Sequence, residues 1–369
     1  MKTRIQLALR PLFLIACSGS PEPATTPMPS VGPAETVWPP ARPLPQPLSY
    51  PLAFQRAIEA GTRTVDGRPG ARYWQQWADY RGDVRVDPTS KRVDGTTHIR
   101  YRNDSPRPLP VLLVELAQNL HAPGVPRAEQ VEVTLGLELN RVTVGGQEIA
   151  ATPSLQAGPG YLVDGTRMII RPPQPVAAGA DVELEMSFGF TIPQQGAGAR
   201  MGHSEDNFVF LAYFHPRMSV YDDVIGWMED SFLGNAEFYH GFGNYTYSID
   251  APAGWLVMGT GELTNPGETL ADDVIERLER AEASDEIVQV IGPGQAASAT
   301  KPGRNGRLVW RFEADSVRDI AVSLTRASRW DAARTPVGDR DGDGDVDYAR
   351  ADAIWRPTAP RWQHAARYT

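Results

Sequence analysis

Between residues 72 and 330 apolar and polar side chains alternate with a period of two. In DVELEMSFGF (181–190), Val182, Leu184, Met186, Phe188 and Phe190 fall on one face. In THIRYR (97–102), Ile99 and Tyr101 oppose His98 and Arg100. NYTYSID (244–250) and RLVWRFE (307–313) repeat the theme. This period belongs to a strand with one face on a core and the other in water. Turn signals part the segments: Asp94-Gly95, Gly145-Gly146, Asp164-Gly165, and Pro252 to Gly254. RVTVGGQEI predicts a hairpin closed by a two-residue Gly-Gly turn. Roughly a dozen such segments predict a mainly β chain, an antiparallel β-sandwich or layered sheet.

Two stretches carry the helical period instead. TLADDVIERLERAEAS (269–284) places Leu270, Val274 and Leu278 four apart, with Asp272 and Asp273 early and Arg277 and Arg280 later. That charge order suits a helix dipole, and the polar remainder predicts one surface helix. PLAFQRAIEAG (51–61) predicts a short helix ended by Gly61. Beyond residue 330 the alternation fades, and YARADAIWRPTAPRWQHAARYT predicts the onset of helical structure.

Composition narrows the function. The net charge is −9 and the pI near 5.3. With no lysine/arginine stripe, nucleic acid is excluded as a partner. Trp and Tyr are plentiful, as in a sheet core or at a saccharide or peptide surface. The single cysteine, Cys17, rules out an internal disulfide. Its setting, MKTRIQLALRPLFLIACSGS, has Lys2 and Arg4 before an apolar run and Ala16 before the cysteine. This order is that of a lipoprotein signal peptide over 1–17, with Cys17 lipidated and the protein at the cell envelope. Arg10-Pro11 interrupts the apolar run, so a degenerate ordinary signal for secretion and a buried cysteine with no role stay open as alternatives. Residues 18–50 are dense in proline, a semi-extended and disordered tether; with the short helix it occupies 18–71.

Local motifs for catalysis are absent. Six histidines occur, none at zinc-helix spacing, and there is no HExxH, no Gly-x-Ser-x-Gly and no phosphate loop. His203 beside Glu205 and Asp206 is either a ligand cluster or a solvated loop. The run DRDGDGDVD (339–347) is different. Asp339, Asp341, Asp343, Asp345 and Asp347 take the first, third, fifth, seventh and ninth places of a calcium loop, with Gly344 at the sixth. Alternating hard oxygen ligands around a glycine turn are what calcium requires. Arg350 stands where an EF-hand has its bidentate glutamate, and no entering helix precedes the run, so an EF-hand proper is excluded. A free calcium loop and a solvated acidic turn both remain open.

Several ordered stretches carry a family resemblance. YWQQWADYRGDVRVDPTSKRVDGTTHIRYRNDSPRPLPVLLVELAQNLH (73–121) resembles the opening of bacterial aminopeptidase-N-type zinc metallopeptidases, the gluzincins. FHPRMSVYDDVIGWMEDSFLGNAEFYHGFGNYTYSIDAPAGWLVMGTGEL (214–263) and WRFEADSVRDIAVSLTRASRWDA (310–332) resemble later segments of the same family. The resemblance implies a saddle-like N-terminal β domain over 72–330. It also implies, over 331–369, an Asp-rich junction and the start of a catalytic domain that is missing from this sequence. The family's zinc ligands and exopeptidase motif do not occur in this sequence. The expectation is therefore an N-terminal portion that lacks zinc and is inactive alone, within a parent that hydrolyses peptides with zinc. Its implied partners are the peptide substrate and its own C-terminal catalytic domain, with the membrane reached through the lipid. The family's substrate-flanking surface maps to Asp222, Asp223 and Glu237. The alternative is a stand-alone, calcium-stabilised β-sandwich binding module of a lipoprotein.

Overall fold

The structure is a computed structural model that describes residues 49–156, 158–204, 206–235, 239–359 and 361–362. The signal segment with Cys17, residues 18–48 of the tether, and Glu237 lie outside the described residues. The chain divides into Met1–Ser49 and Tyr50–Thr369, and every described residue but Ser49 belongs to the second unit.

That unit is mainly β, as the alternation predicts. Its largest sheet has eight strands. In spatial order they are Glu262–Leu263, Arg307–Val317, Gly243–Pro252, Trp77–Asp87, Arg92–Arg102, Asp181–Thr191, Glu138–Val144 and Gln147–Glu148. Neighbours are antiparallel, with one exception. Trp77–Asp87 and Gly243–Pro252 run parallel, with Ala78 opposite Gly243 and Arg85 opposite Asp250. The predicted Gly-Gly hairpin joins the last two strands, with both glycines in left-handed backbone (φ 59° and 76°). Residues with a side chain resist that conformation, so the turn needs this pair.

One face of this sheet is core. Ile99, Leu184, Met186, Phe188, Ile249 and Trp310 are all buried. They form one cluster with Leu112, Val114, Met168, Ile170, Val209, Leu211, Val322 and Leu324, which come from two four-stranded sheets. Each large apolar side chain so buried contributes about 1.5–3 kcal/mol. The other face carries cross-strand ion pairs, among them Arg92–Glu138 at 2.8 Å, Arg141–Glu185 at 2.9 Å and Arg307–Asp250 at 2.7 Å. Such exposed pairs add little stability, and they keep this face wet.

Helix Leu52–Ala60 ends at Gly61 as predicted, with Gly61 in the left-handed conformation (φ 75°). The surface helix spans Asp272–Glu282, turning Val274, Leu278 and Ala281 inward, and a short helix, Pro266–Thr269, precedes it.

The C-terminal expectation is corrected. Residues 347–355 are not helical. Asp347–Trp355 pairs antiparallel with Arg329–Gly338, which pairs in turn with Val288–Ile291. The indole of Trp330 donates to Asp352 at 2.9 Å, and that of Trp355 donates to Asp331 at 2.8 Å. The Arg334 guanidinium lies 4.2 Å from the Tyr348 ring centre. These cross-strand contacts outweigh the helix propensity of the run's three alanines and Arg350. The boundary expected at 330/331 falls within the Arg329–Gly338 strand.

Candidate functional site

The parallel strand pair builds the floor of the site. Tyr80 and Tyr245 face each other across it and stack, ring centres 4.4 Å apart and planes 5° from parallel. Gly243 opens the second strand because a Cβ there would sit 2.2 Å from the Ala78 carbonyl oxygen. The Tyr80 hydroxyl accepts the Met218 N–H at 3.2 Å. It is thereby fixed over a buried cluster of charge.

Arg217 is the centre of that cluster, with its side chain 2% exposed. It donates to Glu115 through two nitrogens (3.1 and 3.3 Å) and to Asp319. His215 Nε2 lies 3.5 Å from Asp319, and His240 Nε2 lies 3.4 Å from Glu115. Burial pushes the Asp319 carboxyl up, and the Arg217 charge overrides it, holding Asp319 well below the usual carboxylate range. Burial likewise pushes Glu115 up, and its bonds to His240 and Arg217 hold it low. Burial lowers the His240 imidazole, favouring the neutral ring.

Above this floor lies a cavity of about 310 Å³. Its lining is strongly aromatic. Trp74 stacks on Tyr221 with ring centres 5.6 Å apart. Tyr73 carries the Arg63 guanidinium at 4.8 Å, and Phe242 carries that of Arg318 at 4.6 Å. Tyr101 and Ser219 also line it, and both hydroxyls are buried without a hydrogen-bond partner. Buried hydroxyls ordinarily find partners, and these two have none among the described residues.

Asp222 and Asp223 belong to this cavity in different ways. Asp222 lies in a small hairpin, Tyr221–Asp222 against Gly226–Trp227, and lines the cavity. Its Oδ1 accepts the N–H groups of Val224 and Ile225 at 2.9 and 2.8 Å, which closes the turn. Its Oδ2 accepts the Tyr239 hydroxyl at 3.2 Å. Asp223 is turned away, with its side chain 1% exposed, and takes a bidentate bond from Arg63 at 2.7 and 2.8 Å. Burial raises the Asp223 carboxyl, and the bonds from Arg63 and Thr62 together bring it below its ordinary value.

The histidine and carboxylate set around Arg217 has the donor types zinc prefers. It does not fit zinc, because the guanidinium already stands between the carboxylates and supplies their positive charge. Elsewhere, His203 lies in the strand Gly202–Ser204, and Asp206 is paired with Lys91 at 2.8 Å.

The Asp-rich run is the turn of the C-terminal hairpin. Oxygens of Asp339, Asp341 and Asp347 lie within 4.8 Å of one another, and among the described residues this is the group that could hold a metal ion. Asp343 and Asp345 are not part of it. Asp343 Oδ1 accepts the Asp345 N–H at 2.8 Å, and Asp339 accepts those of Gly342 and Gly344 at 2.6 and 3.1 Å. An all-oxygen, exposed trio matches calcium by donor type and not zinc.

Sequence reasoning missed the charge cluster and most of the cleft. Glu115, Arg217, His240 and Asp319 come from four separate segments, and none of these segments carries a local motif.

The site is thus an aromatic cleft with one braced carboxylate, set on a β domain over a buried ion network. No family model matches the chain, and no curated protein does. Among solved structures, the chain is similar to an M1 zinc metallopeptidase from Deinococcus radiodurans, with 12% identity and a TM-score of 0.40. That match covers 77% of this chain and 47% of the other. A mutant of the Deinococcus radiodurans M1 zinc metallopeptidase bound to a Tyr-Ser-Ala substrate matches with 10% identity and a TM-score of 0.40, over 79% of this chain and 50% of that one. A mutant two-domain M1 zinc metallopeptidase bound to L-tryptophan matches with 11% identity and the same TM-score, over 79% and 50%. The chain spans about half the length of these structures.

Proposed function

We propose that this chain is the substrate-flanking β domain of an aminopeptidase-type zinc metallopeptidase of the bacterial cell envelope, anchored by a lipid on Cys17. The supporting observation is the placement of Asp222. The family resemblance assigns it to the substrate-flanking surface, and it lines an aromatic cleft with its carboxylate held by three hydrogen bonds. A fixed carboxylate beside aromatic faces suits the protonated amine at the start of a peptide together with an apolar first side chain. In this reading the zinc and the hydrolysis belong to the parent's catalytic domain, which is this chain's partner. The chain itself binds and orients.

Titration of an aromatic tripeptide into the isolated chain, followed by calorimetry, tests the proposal. The free-amine peptide is expected to bind at least about tenfold tighter than its N-acetylated form, a difference of about 1.4 kcal/mol. Asp222→Asn is expected to erase that difference. Equal binding of the two peptides would defeat the assignment. Zinc-dependent hydrolysis by this chain alone would defeat the division of labour.

A second reading, a stand-alone calcium-stabilised binding module, is favoured by one observation. Asp339, Asp341 and Asp347 converge at a hairpin turn. Tight calcium binding together with an absence of any amine preference would turn the choice to it.

A further inference from the structure

The aromatic cleft has its accessible acid and its accessible base at opposite ends. Val317, Gly243, Ala78 and Tyr101 are register partners in turn, on four adjacent strands of the large sheet. Neighbouring strands lie about 4.8 Å apart, so this row is about 14 Å long. Asp222 belongs to its Tyr101 end. The Tyr101 ring stacks on Trp227 with centres 6.0 Å apart, and Trp227 and Asp222 lie on the same small hairpin. Arg318 belongs to the other end. It follows Val317, and its guanidinium lies over the ring of Phe242, the neighbour of Gly243. Both charged residues line the cleft.

Arg318 is placed to receive a ligand. It is exposed, and among the described residues it has no ion pair and no hydrogen bond. Its ring contact uses the flat face of the guanidinium. The N–H groups around the edge stay free, in the planar fork that matches a carboxylate. The next residue, Asp319, is tied to buried Arg217, which anchors the backbone from which Arg318 reaches. The other arginines of the lining, Arg63 and Arg217, are held by carboxylates of the protein.

We propose that Arg318 is a specificity residue for the C-terminal carboxylate of a short peptide, so that the cleft selects peptides of about three residues with both ends free. This rests on the reading of Asp222 as the partner of the peptide's amine. An extended chain covers at most about 3.3–3.6 Å per residue, so a tripeptide reaches about 10 Å from amine to carboxylate. One charge-assisted bond of about 2.8 Å at each end makes up the rest of the row. A single amino acid falls short of one of the two charges. A hexapeptide, at about 20 Å, carries its carboxylate past Arg318.

Calorimetry on the chain tests this with Phe-Ala-Ala, its C-terminal amide, its N-acetyl form, and a hexapeptide that extends it by three alanines. The free tripeptide is expected to bind at least about tenfold tighter than the amide and than the hexapeptide. Arg318→Gln, at an exposed position, is expected to bring the free tripeptide down to the level of the amide. Equal binding of acid and amide by the native chain, or an acid preference that survives Arg318→Gln, overturns the proposal. So does a hexapeptide that binds as tightly as the tripeptide. Those results leave the amine reading standing as long as the N-acetyl form is the weaker binder. An N-acetyl form that binds equally defeats the amine reading, and this proposal with it.

Discussion

Arg217→Met isolates what the buried charge cluster does. The guanidinium is 2% exposed and serves two carboxylates, Glu115 and Asp319, whose side chains are 17% and 26% exposed. Methionine keeps most of the stem volume, so little cavity opens. What is lost is the compensating charge. Removing one partner from a buried ion pair costs about 3–5 kcal/mol. The carboxylates keep some contact with water, which places the expected loss near the lower end, about 3 kcal/mol at pH 7.5.

The pH dependence gives the sharper test. In the native protein both carboxyls sit below their ordinary values. A group with a depressed folded value contributes stability above its unfolded value, about 3.9 for Asp and 4.3 for Glu, and loses it only as the pH falls toward the folded value. The native contribution therefore changes little between pH 7.5 and 5. In Arg217→Met, Asp319 loses the largest cause of its depression and Glu115 loses one of two, with the histidine contacts remaining, so burial weighs more heavily and the folded values rise. The folded variant then takes up protons that the unfolded chain does not, and it gains stability as the pH falls, by at most about 1.4 kcal/mol per unit for each proton. Urea denaturation at pH 7.5 and pH 5 reads both quantities. The deficit should be about 3 kcal/mol at the first and at least 1 kcal/mol smaller at the second. A deficit under about 1 kcal/mol at pH 7.5, or one unchanged with pH, refutes the account of this cluster.

The remaining predictions concern the cleft's brace and the Asp turn. Arg63→Ala leaves the buried Asp223 without its bidentate partner, and should cost about 3–5 kcal/mol in urea denaturation and weaken peptide binding. Arg63→Lys should recover only part, because an ammonium cannot reproduce the planar two-point bond. Calcium is expected to raise the melting temperature of the native chain by mass action. Asp341→Ala should abolish that rise and Asp343→Ala should leave it, since only Asp341 faces the trio; a loss with both variants would restore the five-aspartate loop.

The strands were legible wherever one face is buried and the other wet, because burial then imposes a period of two on the sequence itself. Ile99 and Tyr101 against His98 and Arg100 are an example, and so is the run from Leu184 to Phe190. The Gly145-Gly146 hairpin was legible for a different reason, since only glycine accepts both turn conformations without strain. The parallel pairing of Trp77–Asp87 with Gly243–Pro252 was not legible, as nothing in either segment announces its distant neighbour. The strand Asp347–Trp355 was hidden for a physical reason. Its three alanines and Arg350 favour helix locally, and the contacts that decide otherwise, Trp330 to Asp352 and Trp355 to Asp331, exist only once the hairpin forms. In the Asp run, spacing suggested a loop with five ligands. The hairpin brings Asp347 back beside Asp339 and Asp341, and it leaves Asp343 and Asp345 outside that trio.

The cleft's properties follow from where its charges are fixed. Arg217 is held by two carboxylates and Arg63 by one, so neither is available to a guest without breaking a buried pair. Asp222 is also held, but by donors that leave it on the cavity wall, with the orphan hydroxyls of Tyr101 and Ser219 lining the same space. A guest therefore meets one oriented acceptor and preset aromatic faces, and little must be ordered on binding. Arg318 is the one arginine of the lining whose contact is with a ring rather than a carboxylate. A ligand with an amine for Asp222 gains further if it also carries an acceptor, such as a peptide carbonyl, that Arg318 can meet. That combination distinguishes a peptide from a simple amine, and it makes the N-acetylated tripeptide the right control: it keeps the carbonyls and the side chains and removes only the charge.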